Sequence, residues 1–590
     1  MNILGLSAFF HESACCLIRD GQLVAAAEEE RFSRVKHDPR LPVSTFRYCL
    51  RQGGIGIQDL DAVAYYESPV GKLSRQLWAG VPEGGPSDLA WLDPGRPERA
   101  IREGLGFEGP VLTFDHHLSH AASAFFFSGF PEAAILTVDS VGEWATTTYG
   151  RGKGAAIERI EAVEFPHSLG LLYSTLTSYL GFEVNDGEYK VMGLAPYGEP
   201  RYLDEMRKLV STRDGGQYRL DLQYFDFIRG RRMYSDALPR LFGEPPRTRE
   251  SEITRFHQDV ARSLQAVLEE ILLEKARWLH ERTGLPDLCM AGGVALNVVA
   301  NGRILRESPF ERLFVQPAAG DSGGCLGAAA LAHAKLTRRS LPSRPLRHVY
   351  LGPSWSADDI AGLLRATGLP ALDFRGWENE LLEAVVDRLA AGQVVGWFHG
   401  PMELGPRALG ARSLLADPRD PGMRDRLNGL VKKREAFRPF APSVLASHAA
   451  EHFELNHASP FMLETCRVIS PLDLPAVTHV DGSARPQTVD PGVAPRYAAL
   501  LEAFRRRTGC PVLVNTSFNV RGEPIVCSPA DALFCMGQSG IDALALEDFL
   551  IDRAMLPAHW ADLLPAWRET SRSGFAMGRN PVSEDLYTFV

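Results

Sequence analysis

The chain has 590 residues, of which 45% are hydrophobic and 23% charged, and its formal net charge is −10 at pH 7. This composition predicts a globular protein with more than one domain and excludes a disordered or fibrous chain. An acidic chain is also a poor candidate for bulk nucleic-acid binding.

The cysteines and the amino terminus indicate where the protein works. The nine cysteines form no C-x-x-C pair, which favours reduced thiols over a disulfide framework or a cysteine zinc site. The opening stretch MNILGLSAFFHESACC has no basic region before its apolar run, unlike a signal peptide. No apolar run reaches the roughly 18 residues of a membrane-spanning helix. We therefore expect a cytoplasmic protein with no membrane partner.

Short strands open the chain. NILGLSAFF and SACCLIRDG are predicted strands, followed by a turn at Asp20 and Gly21 and a third strand in QLVAAAEEERFS. The stretch AAILTVDSVGEWATTTYGRG, residues 133–152, repeats this plan of buried strand, acidic turn and second strand. The repetition predicts two related half-domains in an α/β chain.

A long helix and two glycine-rich junctions follow. The pattern from about 250 to 285 predicts an amphipathic helix that ends at Gly284. LCMAGGVALNVVANGRIL and FVQPAAGDSGGCLGAAALAHAKL then each predict a strand, a glycine turn and a helix. Such junctions expose backbone N–H groups that suit phosphate or ribose, although ordinary tight turns are the alternative. Two junctions in succession favour nucleotide binding.

The proline-rich segment 338–355 is the best candidate for an interdomain linker. Beyond it, ENELLEAVVDRLAAGQVVGWFHG predicts a helix and then a buried strand, which begins a second α/β unit. Hydrophobic periodicity weakens beyond about residue 555. These observations predict domains over residues 1–345 and 346–555 and an extension over 556–590.

A candidate metal site comes from four residues. His116 and His120, in FDHHLSHAASAFFFSG, share one face if this stretch is helical. Asp139 closes a buried strand and Asp321 opens a glycine-rich helix. Two imidazoles and two carboxylates suit Fe(II), Mn(II) or Zn(II) and do not suit a closed structural zinc site. On spacing alone, helix capping and packing remain the alternative.

Basic residues crowd into the second unit. They interleave with Leu, Phe and Pro, which favours an anion pocket over a solvated basic face. Arginines, amides and hydroxyls at later strand ends suit a small planar amide, with ordinary turn chemistry as the alternative. The candidates are Arg407, Arg412, Lys432, Arg438, Arg485, Asn515 and Arg521.

With these stretches assembled, the chain resembles the O-carbamoyltransferases of the nodulation and antibiotic-tailoring type over roughly residues 1–555. The motifs that carry the resemblance occur in order: HESA, EEERFSRVKHD, HHLSHAASAFFFS, VDSVGEW, GEYKVMGLAPYG, GGVALN, GDSGGCLGAA, GPRALGARS, VKKREAFRPFAP, HVDGSARPQTV and NTSFNVRGEPIV. The resemblance implies an α/β protein with an actin-like ATPase (Kae1-like) domain over 1–345, similar to tRNA threonylcarbamoyl-transfer proteins. It implies a YrdC-like α/β domain over 346–555.

The resemblance also implies a reaction. The second domain would make carbamoyl adenylate from carbamoyl phosphate and ATP with Mg²⁺, releasing phosphate and pyrophosphate. The first domain would transfer the carbamoyl group to a hydroxyl of a small-molecule, natural-product acceptor and release AMP. No nucleic-acid partner is implied, and the family suggests a homodimer.

The resemblance also implies roles for individual residues, according to the motifs in which they lie. The resemblance implies His116, His120, Asp139 and Asp321 as ligands of a metal, iron by preference, that would hold the adenylate phosphate. It implies His11 as general base on the acceptor hydroxyl, a role that suits an imidazole. The nucleotide-binding matches in the first domain are Gly292, Gly293, Asn297, Glu188 and Lys190. The seven basic-pocket candidates would hold carbamoyl phosphate and ATP.

Three positions depart from the family pattern. Glu12 stands where Asp is usual, Ser140 where Gly is usual, and Pro401 where Arg is common. The loss of that arginine puts a domain contact or the ATP site in doubt.

Three other functions remain open at this stage. A tRNA threonylcarbamoyl-type modifying enzyme would need a basic face, which the acidic balance disfavours. A metabolite kinase on an actin-like fold would leave the second domain without a role. A nucleotide-dependent binding module would need neither His11 nor an anion pocket.

Overall fold

The computed structural model describes residues 1–80, 89–342, 344–432, 435, 437–557 and 560. These residues divide into two compact units, one containing 1–29 and 37–346 and the other containing 30–36 and the chain from 347 onward. The predicted border lay one residue earlier, and segment 30–36 was expected in the first domain. Most of the predicted 556–590 extension lies outside the described residues. Within the described chain, the helices are too short or too polar to span a bilayer.

The first unit is built on two five-stranded sheets. The first sheet contains β1 Asn2–Ser7, β2 Ala14–Arg19, β3 Gln22–Glu28, β4 Ala62–Tyr65 and β5 Val111–Thr113. The second sheet contains β6 Glu132–Val138, β7 Ala145–Lys153, β8 Ala156–Glu164, β11 Asp287–Ala291 and β12 Arg312–Val315. A separate hairpin is formed by β9 Val210–Thr212 and β10 Tyr218–Leu220.

Both sheets have the same topology. The strand orders are β3-β2-β1-β4-β5 and, read from the other edge, β8-β7-β6-β11-β12. In each, three antiparallel strands are followed by two strands parallel to the first. The predicted repetition is therefore confirmed. The predicted turn between β2 and β3 is also confirmed, since Asp20 and Gly21 both have positive φ, as a type I′ hairpin turn requires.

The helices of the first unit connect and cover these sheets. Their bounds are α2 Val43–Gly53, α3 Pro69–Ala79, α4 Arg96–Leu105, α5 His116–Ser128, α6 Leu169–Tyr179, α7 Glu188–Leu194, α8 Leu203–Leu209, α9 Ala237–Phe242, α10 Arg255–Thr283, α11 Val298–Glu307 and α12 Asp321–Thr337. The predicted long helix is α10, and it ends at Gly284 as expected.

Two helices lie at the centre of the first unit. α12 packs on β1 and β2 of the first sheet, and α5 packs on β6 and β11 of the second. The two helices also pack on each other, so every residue of α5 except Leu118 is buried. Gly327 permits the close approach, because a Cβ there would overlap the carbonyl oxygen of Ser119. This packing brings the first turns of α5 and α12 together.

The second unit is built on one mixed sheet in the order β13-β22-β21-β14-β15-β20-β16-β19. Its strands are β13 Leu372–Asp373, β14 Val395–Phe398, β15 Arg412–Ala416, β16 Ala441–Leu445, β19 Gln487–Val489, β20 Val512–Ser517, β21 Ala543–Leu546 and β22 Phe549–Asp552. A small ribbon is formed by β17 Cys466–Arg467 and β18 Ser483–Ala484.

Helices and one short amino-terminal segment complete the second unit. They are α1 Glu30–Ser33, α13 Ala357–Thr367, α14 Glu378–Ala390, α15 Met423–Leu427, α16 Ala449–His452, α17 Pro495–Thr508 and α18 Pro529–Gln538. The helix and strand predicted from 378–400 are confirmed as α14 and β14. A continuous hydrophobic core, which includes Trp397, Phe504 and Leu544, joins the helices to the sheet.

We predict that Gly327→Ala destabilises the first unit by about 1–3 kcal/mol, because the added methyl forces α5 and α12 apart. Metal binding should also weaken in the Gly327→Ala variant. The measurement is calorimetric unfolding of the full chain. Gly362→Ala is the matched control, since Gly362 is also helical and has open space at its Cβ position. That control should be neutral or stabilising by up to about 1 kcal/mol. Equal Tm values for Gly327→Ala and wild type would contradict the packing argument.

Candidate active site

The four predicted metal ligands meet in the first unit. His116 and His120 lie on the first turns of α5, Asp139 directly follows β6, and Asp321 is the first residue of α12. The Nε2 atoms of the two histidines are 3.1 Å apart, and each lies 3.1 Å from Asp139 Oδ2. Each also lies 3.5 Å from Asp321 Oδ1. All four residues are buried.

Backbone groups hold the Asp139 carboxylate in place. Its Oδ1 accepts hydrogen bonds from the N–H groups of Ser140 and Gly293, at 2.8 and 3.1 Å. Gly293 lies on the turn after β11, which pairs in parallel with β6, so adjacent strand ends supply the carboxylate and its donor. Oδ2 is thereby directed at the two imidazoles.

This donor set fits a divalent transition ion. Bonds of about 2.1 Å to nitrogen and oxygen place neighbouring ligand atoms about 3.0–3.4 Å apart in octahedral or tetrahedral geometry. The measured separations of 3.1–3.5 Å match that range. Asp321 Oδ2 is buried and has no hydrogen-bond partner within the described chain, which leaves a further lone-pair donor beside the cluster. Two His and two carboxylates suit Fe(II), Mn(II) or Zn(II).

The carboxylates of Asp139 and Asp321 strongly favour positive charge on the neighbouring imidazoles. Burial disfavours the imidazolium of His116, but the Asp321 and Asp139 carboxylates outweigh burial and raise its pKa to about 10. Burial acts to raise the pKa of Asp139, yet the hydrogen bonds from His116 and His120 hold it well below its usual range. A metal ion must therefore displace protons from the imidazoles when it binds.

Sequence reasoning missed Glu143, which positions the cluster. Its carboxylate accepts hydrogen bonds from the N–H of His116, at 3.0 Å, and from the N–H of Ser68 before α3, at 2.5 Å. Burial raises the pKa of Glu143 to about 7, and the nearby Asp115 carboxylate adds to the rise. The motif VDSVGEW contains Glu143, but only the folded chain shows that it faces the start of α5.

His11 lies in the turn between β1 and β2 and is half-buried. Its ring stacks on Phe10, with 5.5 Å between centroids. The side chain of its neighbour Glu12 lies against the backbone of Gly320, because a Cβ at Gly320 would be 3.0 Å from Glu12 Oε2. Since Gly320 directly precedes Asp321, this turn lies next to the metal cluster. His11 as general base stays a prediction.

The five predicted nucleotide-binding residues divide into three groups. Gly292 and Gly293 form the turn that touches Asp139. The Asn297 side chain caps α11 and exchanges hydrogen bonds with Gln265 of α10 at 2.9 and 3.0 Å. Glu188 and Lys190 lie on α7, where the Glu188 carboxylate accepts from Ser174 at 2.6 Å and Lys190 pairs with Asp186 at 3.8 Å. Nucleotide contact by these residues stays a prediction.

In the second unit, the loop 399–411 is held rigidly. Gly405 and Gly410 have φ of 102° and 103°, which glycine adopts readily. Glu403 Oε1 accepts hydrogen bonds from the N–H groups of Leu409, Ala411 and Arg412 at 2.7–3.2 Å. Glu403 was not among the predicted residues, although its buried carboxylate fixes the loop that carries Arg407.

An amide network supports the same loop from the sheet. Asn515 Nδ2 donates to Gln487 Oε1 at 2.9 Å, to Ser443 Oγ at 3.0 Å and to the Ala408 carbonyl at 3.2 Å. Gln487 Nε2 donates to the Leu409 carbonyl at 2.7 Å. Asn515 Oδ1 is buried with no hydrogen-bond partner in the described chain. An acceptor without a partner at this position suits an N–H group of a ligand.

Arg412 is occupied by the protein itself. Its guanidinium is fully buried and donates to the carbonyl oxygens of His399, Gly400, Ala411 and Pro353 at 3.0–3.2 Å. It also lies 3.6 Å from the centroid of the Phe398 ring, and burial lowers its pKa to about 10. These contacts hold the loop, and they lend no support to the predicted phosphate contact of Arg412.

The other predicted basic residues are more accessible. Arg407 and Arg485 are half-buried, and Arg521 is exposed. Arg438 is half-buried, with its NH1 3.7 Å from the Glu435 carboxylate. The side chain of Lys432 lies outside the described part of the chain. An anion-binding role for these residues stays a prediction.

Two further features of the second unit were missed. Arg31, from the amino-terminal segment, donates to the Gly405 carbonyl at 2.9 Å. His399 and Glu547 directly follow the parallel strands β14 and β21 and are joined by a hydrogen bond of 2.6 Å. Burial acts to raise the pKa of Glu547, but the bond from His399 lowers it. Only the strand pairing brings these distant residues together.

Two family models match the chain. One, described as the carbamoyltransferase N-terminus, matches residues 2–79 and 101–330. The other, described as the carbamoyltransferase C-terminus, matches residues 386–553. The matched ranges cover more than half of the chain and contain every predicted site residue.

Full-length relatives agree with this match. An uncharacterized protein of Synechocystis sp. is 43% identical and covers 96% of this chain and 99% of its own length. Nodulation protein NolNO of Sinorhizobium fredii is 40% identical, covering 94% of this chain and 81% of its own length. The 3'-hydroxymethylcephem-O-carbamoyltransferase of Amycolatopsis lactamdurans is 29% identical, covering 92% and 98%.

Two solved structures show weak likeness to the chain. HypF of T. kodakarensis covers 57% of this chain and 48% of its own, with 14% identity and a TM-score of 0.31. Component A of (R)-2-hydroxyglutaryl-CoA dehydratase from Acidaminococcus fermentans covers 57% of this chain and 100% of its own, with 15% identity and a TM-score of 0.29. Likenesses of this size do not establish a shared fold.

We predict that the affinity for Fe(II), measured anaerobically between pH 9 and pH 6, falls as the pH is lowered. The pKa of His116 is about 10 in the metal-free protein, so its proton competes with the metal throughout this range. Each displaced proton should cost about tenfold in affinity per pH unit. Affinity that is independent of pH would contradict this ligand set.

A charge-removing variant checks that the measured site is this cluster. Asp321→Asn should weaken Fe(II) binding by at least about 100-fold, more than the loss of an indirect partner. Asp287→Asn is the matched control, because Asp287 is also buried but pairs with Arg312 at the opposite end of β11. The control should bind Fe(II) as wild type does.

Proposed function

Because the chain belongs to the carbamoyltransferase family and is a carbamoyltransferase, we propose that it is an ATP-dependent O-carbamoyltransferase acting on a hydroxyl of a small-molecule, natural-product acceptor. The observation that carries the proposal is the buried His116, His120, Asp139 and Asp321 cluster in the first unit. A metal ion held by such a cluster would bind a phosphate group and offset its charge as it leaves.

The first half-reaction belongs to the second unit in this proposal. Water hydrolyses carbamoyl phosphate to carbamate and phosphate. A carbamate oxygen then attacks the α-phosphorus of ATP, and pyrophosphate leaves to give carbamoyl adenylate. Arg407, Arg438, Arg485 and Arg521, with Lys432, would bind the phosphate groups, because guanidinium forks match phosphate oxygens.

The amide network of Asn515 and Gln487 would recognise the carbamoyl group through a hydrogen bond. Asn515 Oδ1 is a buried acceptor without a hydrogen-bond partner in the described chain, and the carbamoyl NH₂ group is the donor that a carboxylate or acyl substrate lacks. Glu403 and Arg412 hold this loop, which would keep Arg407 at a fixed position relative to the Asn515 side chain. Arg412 supports the loop through these contacts, and its predicted role in binding carbamoyl phosphate and ATP stays a prediction.

The second half-reaction belongs to the first unit. His116, His120, Asp139 and Asp321 would hold a metal ion, Fe²⁺ by preference, which would supply positive charge to offset that of the adenylate phosphate. His11, in the adjoining turn, accepts the proton of the acceptor hydroxyl as its oxygen attacks the carbamoyl carbon. The C–O bond to AMP breaks, and AMP leaves with the bonding electron pair. Glu143 keeps α5 and its histidines in position.

The fold assignment has two levels. Both units are mixed α/β. We propose in addition that the first unit is actin-like (Kae1-like), a proposal supported by its duplicated sheet topology, and that the second is YrdC-like. A cytoplasmic location, Mg²⁺ as the partner of ATP, and a homodimer without a nucleic-acid partner complete the proposal.

The test is incubation of the purified protein with ATP, Mg²⁺ and carbamoyl phosphate, without acceptor, followed by mass spectrometry for carbamoyl adenylate and pyrophosphate. Wild type should form both. Arg485→Ala should lower the rate by about 100-fold or more, as expected when a charge-assisted contact of roughly 3 kcal/mol is lost. Arg467→Ala is the control, since Arg467 is exposed on the neighbouring β17. Pyrophosphate formation without carbamoyl phosphate would contradict the proposal.

A further inference from the structure

A second group of potential metal ligands lies in the first unit, outside the four-residue cluster. His11 and Glu12 come from the turn between β1 and β2, and His37 comes from the segment before α2. Glu12 Oε1 lies 3.4 Å from His37 Nδ1 and 3.9 Å from His11 Nδ1. The three ligand atoms lie within 4.8 Å of one another.

The spacing of these atoms suits a metal ion. Bonds of about 2.1 Å in tetrahedral geometry place ligand atoms about 3.4 Å apart. The Glu12–His37 separation already has this value, and the Glu12–His11 separation of 3.9 Å exceeds it by about half an ångström. Two imidazole nitrogens and one carboxylate oxygen form a ligand set of catalytic and exchangeable zinc sites, with the fourth position left for water.

A carboxylate behind His37 strengthens the case. Asp186 Oδ1 lies 3.8 Å from His37 Nε2, the ring nitrogen opposite to the one that faces Glu12. Lys190 in turn lies 3.8 Å from Asp186. Histidines that bind metals commonly direct their second ring nitrogen at a carboxylate, which fixes the ring and increases its basicity. Asp186 lies on this side of the His37 ring at an ion-pair distance, which is longer than a hydrogen bond.

The surroundings allow an ion to enter. The side chains of His11, Glu12 and His37 keep 20%, 27% and 24% of their exposure, whereas His120 in the four-residue cluster keeps none. A hydrated ion can therefore reach the group from solvent and retain water. Because Glu12 Oε2 lies beside Gly320, the group adjoins the start of α12 without sharing a residue with the first cluster.

We propose that His11, Glu12 and His37 form a second divalent-metal site that binds a borderline ion such as Zn²⁺. Ion binding also has a consequence that rests on the proposed role of His11. When one ring nitrogen binds a metal, the other carries the proton, so the imidazole has no lone pair for the acceptor hydroxyl. Zn²⁺ at this site inhibits carbamoyl transfer.

The test counts Zn²⁺ ions bound to the full chain by equilibrium dialysis and elemental analysis. Wild type should bind two ions. His37→Gln and Glu12→Gln should each bind one, Asp321→Asn should bind one, and His37→Gln combined with Asp321→Asn should bind none. His457→Gln is the control, because His457 pairs with Glu464 but belongs to no three-ligand group within the described chain. The control should bind two.

Two results would overturn the proposal: one ion bound to wild type, or two ions bound to both His37→Gln and Glu12→Gln. Unfolding curves that match wild type show that the variants are folded. Because the count needs no turnover, it decides the site even if the adenylate assay fails. In active protein, His37→Gln should raise the Zn²⁺ concentration for half-inhibition by at least about tenfold.

Discussion

Asp139 and Asp321 are buried carboxylates, and buried charges are tolerated only where opposite charge or strong hydrogen bonds compensate them. In the first unit this compensation comes from His116 and His120, and the raised pKa of His116 shows how strongly the site attracts positive charge. The surrounding structure serves the same need. Glu143 fixes the start of α5, and Gly327 lets α12 approach closely enough to deliver Asp321.

The second unit satisfies a different constraint, since it must hold a loop of main chain against a sheet with its polar groups paired. Glu403 does this from within the loop, and Arg412, Asn515 and Gln487 do it from the adjoining strands. These hydrogen bonds hold the loop in place. Asn515 Oδ1 and Glu403 Oε2 are buried acceptors without a hydrogen-bond partner in the described chain, and the proposed adenylate-forming step uses Asn515 Oδ1 to accept from an N–H group.

Local patterns in the sequence predicted the helices and strands well, but they predicted only some of the contacts between these helices and strands. The helical spacing of His116 and His120, the strand ending before Asp139 and the helix beginning at Asp321 follow from periodicity and glycine turns. The pairing of β14 with β21 brings together His399 and Glu547, which lie 148 positions apart in the sequence. The contact of Asp186 with His37 is equally remote. Arginine content alone could not show that Arg412 faces carbonyl oxygens, because a guanidinium can donate to carbonyl oxygens as well as to phosphate oxygens.

The central claim is that two units divide one reaction, with carbamoyl adenylate passing from the second to the first. Asp139→Asn tests this claim most directly, by comparing pyrophosphate release with carbamoyl transfer in the same variant. The account predicts that Asp139→Asn, which damages only the first unit, still releases pyrophosphate from ATP and carbamoyl phosphate while transfer is lost. Equal loss of both activities in a folded variant would contradict the division.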